Sequence, residues 1–271
     1  MLRRTVYLPR RLLGDWRFGL ALLLLFGFLL WEITDVMHTL GYSRFLSRYG
    51  REDPAGVAVS YALEGEFHSL EEVWAAWLTQ PEAAEYYFLC ACCNASLGNF
   101  LCGLILSLWV AGRGVRERSA SALRMGGGSR LGVFLRLWVP AHACILLILW
   151  GVFALCLGTF PIRWELLAAD YVRRAVRLWL LFTASEAAVY VFLAVALGPF
   201  AAAGASLGVF LCPFLLPSSL RCWFPGWAMA DKKLWRPAGL EQLRGPAVAA
   251  AMVLVLAFLG AWLAFRKKEL E

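Results

Sequence analysis

This sequence is short of almost everything a soluble enzyme needs. Its three histidines, His38, His68 and His142, are scattered, and no H-E-x-x-H run exists to hold a catalytic zinc. The glycines of Gly126–Arg130 lack the following Lys and hydroxyl of a phosphate-gripping loop, so no nucleotide-hydrolysing motif is present. Ser107 and Ser185 lie in apolar runs, but neither sits in a G-x-S-x-G turn beside an activating base, which leaves intramembrane hydrolysis without a visible catalytic set. The eight cysteines fall mostly in or beside apolar runs, where Cys serves as a small lipid-tolerant residue rather than a disulfide framework. Only Cys90, Cys92 and Cys93 cluster, and a structural zinc site would want wider spacing and a second ligand pair. Zinc-finger and RNP patterns are absent, and no basic cluster is interleaved with aromatics, so the net charge of +7 does not point to nucleic acid.

What the chain has in excess is apolar sequence. It is 61% hydrophobic, where a soluble domain is usually about 45–50%. The excess falls in blocks of roughly 20 residues, the length that crosses a bilayer core. Six segments are predicted: Phe18–Met37, Tyr87–Ala111, Leu131–Leu157, Leu178–Leu197, the short Phe200–Leu216 and Pro246–Phe265. The expectation is an all-α membrane protein, one transmembrane domain over residues 1–271, with no room for a soluble domain.

Basic residues set the expected orientation. Arg3, Arg4, Arg10, Arg11 and Arg17 precede the first segment, and Arg266, Lys267 and Lys268 follow the last, which places both termini in the cytoplasm. Residues 1–17 mix these arginines with Leu2, Val6, Leu8, Leu12, Leu13 and Trp16, as an amphipathic interfacial segment does. The acidic stretch 38–86 suits the outside. Within it, Ser69 and Glu72 form a capping box, and Val73, Trp74, Trp77 and Leu78 give an apolar stripe, predicting a short surface helix over Leu70–Thr79. Pro81 suits the first turn of the next helix. The outer connection Thr159–Arg177 and the Trp-rich outer loop 217–245 complete the layout. Trp223, Trp227 and Trp235 read as boundary anchors; a re-entrant helix pair broken at Pro225 and Gly226 would use the same residues. The positive-inside rule is strained in this half, because Arg173, Arg174, Arg177, Arg221, Lys232, Lys233, Arg236 and Arg244 all fall outside. A fifth segment that dips in and returns would put the C-terminal basic cluster outside as well, which is worse.

Charge inside a membrane costs about 2.5–3.5 kcal/mol per residue even on lenient scales. Glu186, near mid-depth of the fourth segment, therefore needs an interior or wet face. Two readings stand side by side: a polar contact on a substrate path or subunit interface, or a structural carboxyl hydrogen-bonded to Asn94, Asn99 or a carbonyl. Glu32 and Asp35 lie nearer the outer interface, and Glu32 joins Glu186, Asn94 and Asn99 as candidates for a substrate path or subunit interface. His142 reads as a hydrogen-bonded helix-packing residue rather than a proton relay.

The loop 112–130, GRGVRERSASALRMGGGSR, joins the second and third segments. Glu117, a short helix containing Leu123, Arg124 and Met125, the step Gly128-Ser129-Arg130, and Arg136 just inside the third segment follow one another. This order resembles the first cytoplasmic loop of ABC-2 type permeases, the membrane subunits of many bacterial ABC exporters. The layout of the whole chain is similar, while the motif covers only Gly112–Arg136, and Gly stands where many members have Pro before the Ser–Arg step. The resemblance implies a multi-pass protein of the bacterial inner membrane, without catalytic residues, metal or cofactor of its own. It implies a coupling helix around Arg116–Met125 that docks on a cytosolic ABC ATPase, with Arg113, Arg116, Arg118 and Arg124 available to pair with acids there. A second permease copy or a paralogue would complete the transporter, surrounded by membrane lipids. The scarcity of intramembrane charge leans toward an amphipathic or apolar cargo. An integral membrane enzyme, or an anchor or sensor without transport, is the alternative reading.

Overall fold

The computed structural model describes residues 16, 19–31, 70–93, 95–106, 108–109, 129–160, 162–231 and 233–268. The secondary structure of the described residues is helix, with no strand among them. In chain order the helices are α1 (Gly19–Trp31), α2 (Leu70–Leu78), α3 (Pro81–Cys93), α4 (Ala95–Leu106), α5 (Arg130–Thr159), α6 (Ala169–Ala196), α7 (Pro199–Leu211), α8 (Ser218–Arg221), α9 (Pro225–Ala230) and α10 (Arg244–Lys268). Four stretches are long and apolar enough to cross a membrane: Pro81–Ile105, α5, α6, and Leu240–Lys267, which includes most of α10. The α1 and α7 stretches are apolar but shorter.

Ranked from least to most apolar, these four stretches are 79%, 61%, 29% and 22% buried in their apolar windows, in the order Pro81–Ile105, α6, α5 and the α10 stretch. A water-soluble protein buries its apolar residues and exposes its polar ones. Here the most apolar helices have the most exposure, as expected where the surrounding solvent is itself hydrocarbon. α10 shows Val248, Met252, Val255, Leu256, Leu259 and Leu263 to the outside.

The chain runs alternately between two ends of the bundle. One end gathers the starts of α3 and α6: Tyr87 meets Phe160 just past α5, and Phe88 meets Tyr171. The other end gathers the start of α5 and the finish of α10, where Phe134 packs against Trp262 and Phe265. α6 and α10 are parallel neighbours, with Arg174 near Glu241 at one end and Phe192 against Gly260 toward the other, and α3–α4 and α5 close the other sides of α6. α1 joins through Leu29, which sits beside Gly98 of α4, and Phe26, which sits beside Gly151 of α5.

Between α6 and α10 the chain climbs the bundle in two pieces. α7 has 13 residues and is only about 20 Å long, two-thirds of a bilayer core. It ends in a 3₁₀ turn, Cys212–Leu215, that contains Pro213. After α8 the chain resumes at Pro225, whose ring is pre-set for a helix start. Phe210 near the top of α7 stacks on Phe100, which meets Tyr190 of α6 edge-on. Gly226 lies against Glu186, Trp235 then accepts a hydrogen bond from Tyr171 at its carbonyl, and Glu241 reaches Arg174. Residues 199–243 thus travel from the Ala196 end of α6 to its Tyr171 end, with the break halfway.

Several expected boundaries shift. The second segment starts at Pro81 rather than Tyr87, so Glu82 and Glu85 are helical. The fourth starts at Ala169 rather than Leu178, so Asp170, Arg173, Arg174 and Arg177 are helical instead of lying in the connection. Its 28 residues make about 42 Å of helix, longer than a bilayer core, so the charged turns extend past the apolar part. Arg173 pairs with Asp170 at 2.8 Å, and Glu241 takes Arg174 at 3.4 Å and Arg244 at 2.5 Å, which binds several of the crowded cations to neighbouring acids. Trp235 is not a boundary anchor: it is fully buried and donates its indole N–H to the Ala228 carbonyl at 2.8 Å. The surface helix ends at Leu78, one residue before its expected end, with Trp77 buried and stacked on Trp74.

Candidate ligand site

The polar interior is built on two helices at matching pitch. On α4, Asn99 and Gly103 are four residues apart; on α6, Glu186 and Tyr190 are four residues apart, so each pair lines one helix face. Asn99 Nδ2 donates to Glu186 Oε2 at 2.6 Å, and Tyr190 donates its hydroxyl to Oε1 at 2.8 Å. One turn along, Gly103 leaves the room that the Tyr190 ring fills; a Cβ there would collide with the ring. Glu186 is 6% exposed and Asn99 is fully buried. Asn99 Oδ1 and Ser185 Oγ are buried without a partner among the described residues.

The same turn of α6 is held from α5. His142 Nε2 meets the Ala184 carbonyl at 2.8 Å, which fixes the tautomer with hydrogen on Nε2. Trp150 donates to Thr183 Oγ1 at 3.2 Å, and that hydroxyl turns back to the Trp179 carbonyl at 2.9 Å. Asn99 Nδ2 also reaches the Thr183 carbonyl at 3.3 Å. Higher on α6, Trp179 donates to the Cys92 carbonyl at 3.2 Å and stacks on Phe153, with ring centres 4.1 Å apart.

The opposite face of Glu186 opens on a cavity of about 460 Å³, within the size range of ligand pockets. Val209 and Phe210 of α7, with Pro213 and Phe214 of the 3₁₀ turn, form one wall. Trp223, Phe224 and the α9 residues Pro225, Gly226, Trp227 and Ala230 form another, and Val189 of α6 and Val253 of α10 complete it. Among the described lining residues, Glu186 is the single ionisable one. Gly226 lets α9 pack directly against the carboxyl: a Cβ at that position would stand 2.5 Å from Oε1.

The break that forms the cavity is stapled by side chains. Arg221 donates to the Leu216 carbonyl at 2.9 Å and to the Phe214 carbonyl at 3.3 Å, and Trp227 donates to the Phe210 carbonyl at 3.4 Å. These bonds satisfy carbonyls that the interrupted helix leaves free, a requirement for broken backbone at membrane depth. The Arg221 guanidinium also lies over the Trp227 ring, 5.5 Å from its centre.

Of the residues singled out in the sequence, the structure joins Glu186 and Asn99. Asn94 and Glu32 lie outside the described residues, as do Arg113, Arg116, Glu117, Arg118, Leu123, Arg124 and Met125. Arg130 is the first residue of α5 and half-buried. His142 is a packing residue held by a backbone carbonyl. Cys90, Cys92 and Cys93 are buried, and no group of three His, Cys, Asp or Glu able to hold a metal occurs among the described residues. Sequence reasoning missed Tyr190, Gly103 and the ligand-facing role of Gly226. The spacings Asn99/Gly103 and Glu186/Tyr190 were the available signal, since each places a polar residue and its neighbour on one helical face.

Comparison of the chain with protein-family models, curated proteins and solved structures gave no match.

Proposed function

We propose that this chain is the permease subunit of an ABC exporter, moved by a separate cytosolic ATPase, and that the Glu186 cavity receives an amphipathic or apolar cargo. The observation that carries the reading is how the two helices flanking loop 112–130 attach to the cavity wall. α4 ends before that loop and α5 begins after it. Through Asn99, His142 and Trp150, both are hydrogen-bonded to the Thr183–Glu186 turn of α6. A displacement passed into α4 or α5 therefore reaches the carboxyl and the cavity through these hydrogen bonds. The loop's likeness to an ABC-2 coupling loop supplies the source of the displacement. The broken α7–α9 crossing supports the same reading, since interrupted helices surround substrate sites in many transporters.

The test is co-purification. The chain is expected to bring down an ATPase with a Walker motif and to change its ATP turnover. Arg116→Glu with Arg124→Glu should weaken that complex by about tenfold or more, as removal of interfacial charge pairs does, while leaving the permease monodisperse. Unaltered stimulation by the double variant, or absence of any ATPase partner, counts against the proposal.

A further inference from the structure

We propose that the Glu186 cavity is a binding site for an apolar monocation, such as a hydrophobic amine or quaternary ammonium. This accepts the cavity as the cargo site and adds the charge of what it takes. Binding is a property of the chain alone, so it is testable without the ATPase.

The chemistry of the lining makes the selection. An apolar cavity with one acid attracts a molecule that is apolar except for one positive centre, because a second charge would have no partner there. Glu186 is the one ionisable lining residue, and no Lys, Arg or His is paired with it among the described residues. Both of its oxygens accept hydrogen bonds, from Asn99 and Tyr190. A carboxylate has about four acceptor sites, so acceptor capacity is left toward the cavity that Glu186 lines. Around it stand Phe210, Phe214, Trp223 and Trp227, aromatic rings whose faces attract a desolvated cation. Trp227 already does so with the chain's own Arg221, whose Nε and Nη2 donate to the Leu216 and Phe214 carbonyls. An anion would meet a carboxylate with no counter-charge, and a neutral apolar molecule would leave the carboxylate buried without compensation.

The experiment uses the full-length chain in lipid nanodiscs, with phenylbutyltrimethylammonium and its neutral analogue in which carbon replaces nitrogen. The cation should bind at least about tenfold tighter than the analogue, after correction for partition into empty nanodiscs. Glu186→Gln should remove that difference and leave analogue binding in place. Gly226→Ala, whose methyl lands on the carboxyl, should weaken the cation more than the analogue. Equal binding of the two probes, or full discrimination retained by Glu186→Gln, overturns the inference. If Glu186→Gln fails to assemble, Gly226→Ala decides: undiminished cation preference overturns it, and a lowered preference sustains it. A chain that prefers the cation but recruits no ATPase sinks only the exporter reading. A chain that stimulates an ATPase but ignores charge sinks only this one.

Discussion

α6 and α10 lie side by side and are both long enough to cross a bilayer, yet they do opposite work. α6 buries Thr183, Ser185 and Glu186 together with a run of alanines, and its apolar window is 61% buried. Between its basic ends α10 carries no polar side chain, and its apolar window is 22% buried. The less apolar helix is the central one. Hydropathy alone would rank α10 first as core, and in water it would be. The reversal shows that the solvent for α10 is apolar, and that the specific contacts of this bundle are polar and small-residue contacts gathered on α6. Membrane helix interfaces are enriched in such residues for this reason: apolar contact offers no advantage over lipid, while close approach and hydrogen bonds do.

Three substitutions press on that contrast. The largest effect is expected from Leu256→Arg at the exposed middle of α10. A charge facing hydrocarbon there should cost about 2.5–3.5 kcal/mol of insertion, read as the shift between inserted and uninserted fractions in a glycosylation-based insertion assay. Insertion equal to the parent would mean that this face meets water or protein, and the contrast with α6 would collapse.

Next comes Gly103→Val on α4, facing α6. Its side chain must displace the Tyr190 ring, and overpacking of this kind costs about 1–3 kcal/mol. A lowered Tm in detergent, with loss of monodispersity on size exclusion, is the expected result; a parent-like Tm would show that the α4–α6 contact is loose.

The smallest effect belongs to Tyr190→Phe. It removes one hydrogen bond to Glu186 Oε1 and leaves the ring in place, so about 1 kcal/mol should be lost. A double-mutant cycle with Asn99→Ala sharpens the point, because two donors on one carboxyl should couple rather than add. Strict additivity in unfolding free energy would mean that the two bonds are independent and Glu186 is not the hub of the interface.

Much of the helical layout was legible because block length is a direct consequence of bilayer thickness. Leu131–Leu157 and Pro246–Phe265 lie inside the observed α5 and α10 for that reason. The start of α6 was not legible, since charged residues past the apolar stretch carry no mark that says whether the helix continues. The broken crossing was half legible: Pro225 and Gly226 announced an interruption, but not that Gly226 would lie against Glu186 from a loop 40 residues away. Trp235 was misread because Trp is frequent at membrane boundaries, and only the tertiary position of Ala228 and Tyr171 shows its N–H and carbonyl both satisfied inside. For Glu186, Asn99 stood among the partners the sequence offered, whereas Tyr190 went unnoticed although it lies one turn away on the same helix.

The outward placement of leucine on α5 and α10 has a practical meaning for anyone handling the molecule. Taken from its native surroundings, it would leave these apolar outer faces bare to water. A surfactant collar around those two helices is accordingly a structural component, and thinning it by dilution or harsh washing should strip order from the periphery before the turn around Glu186 gives way.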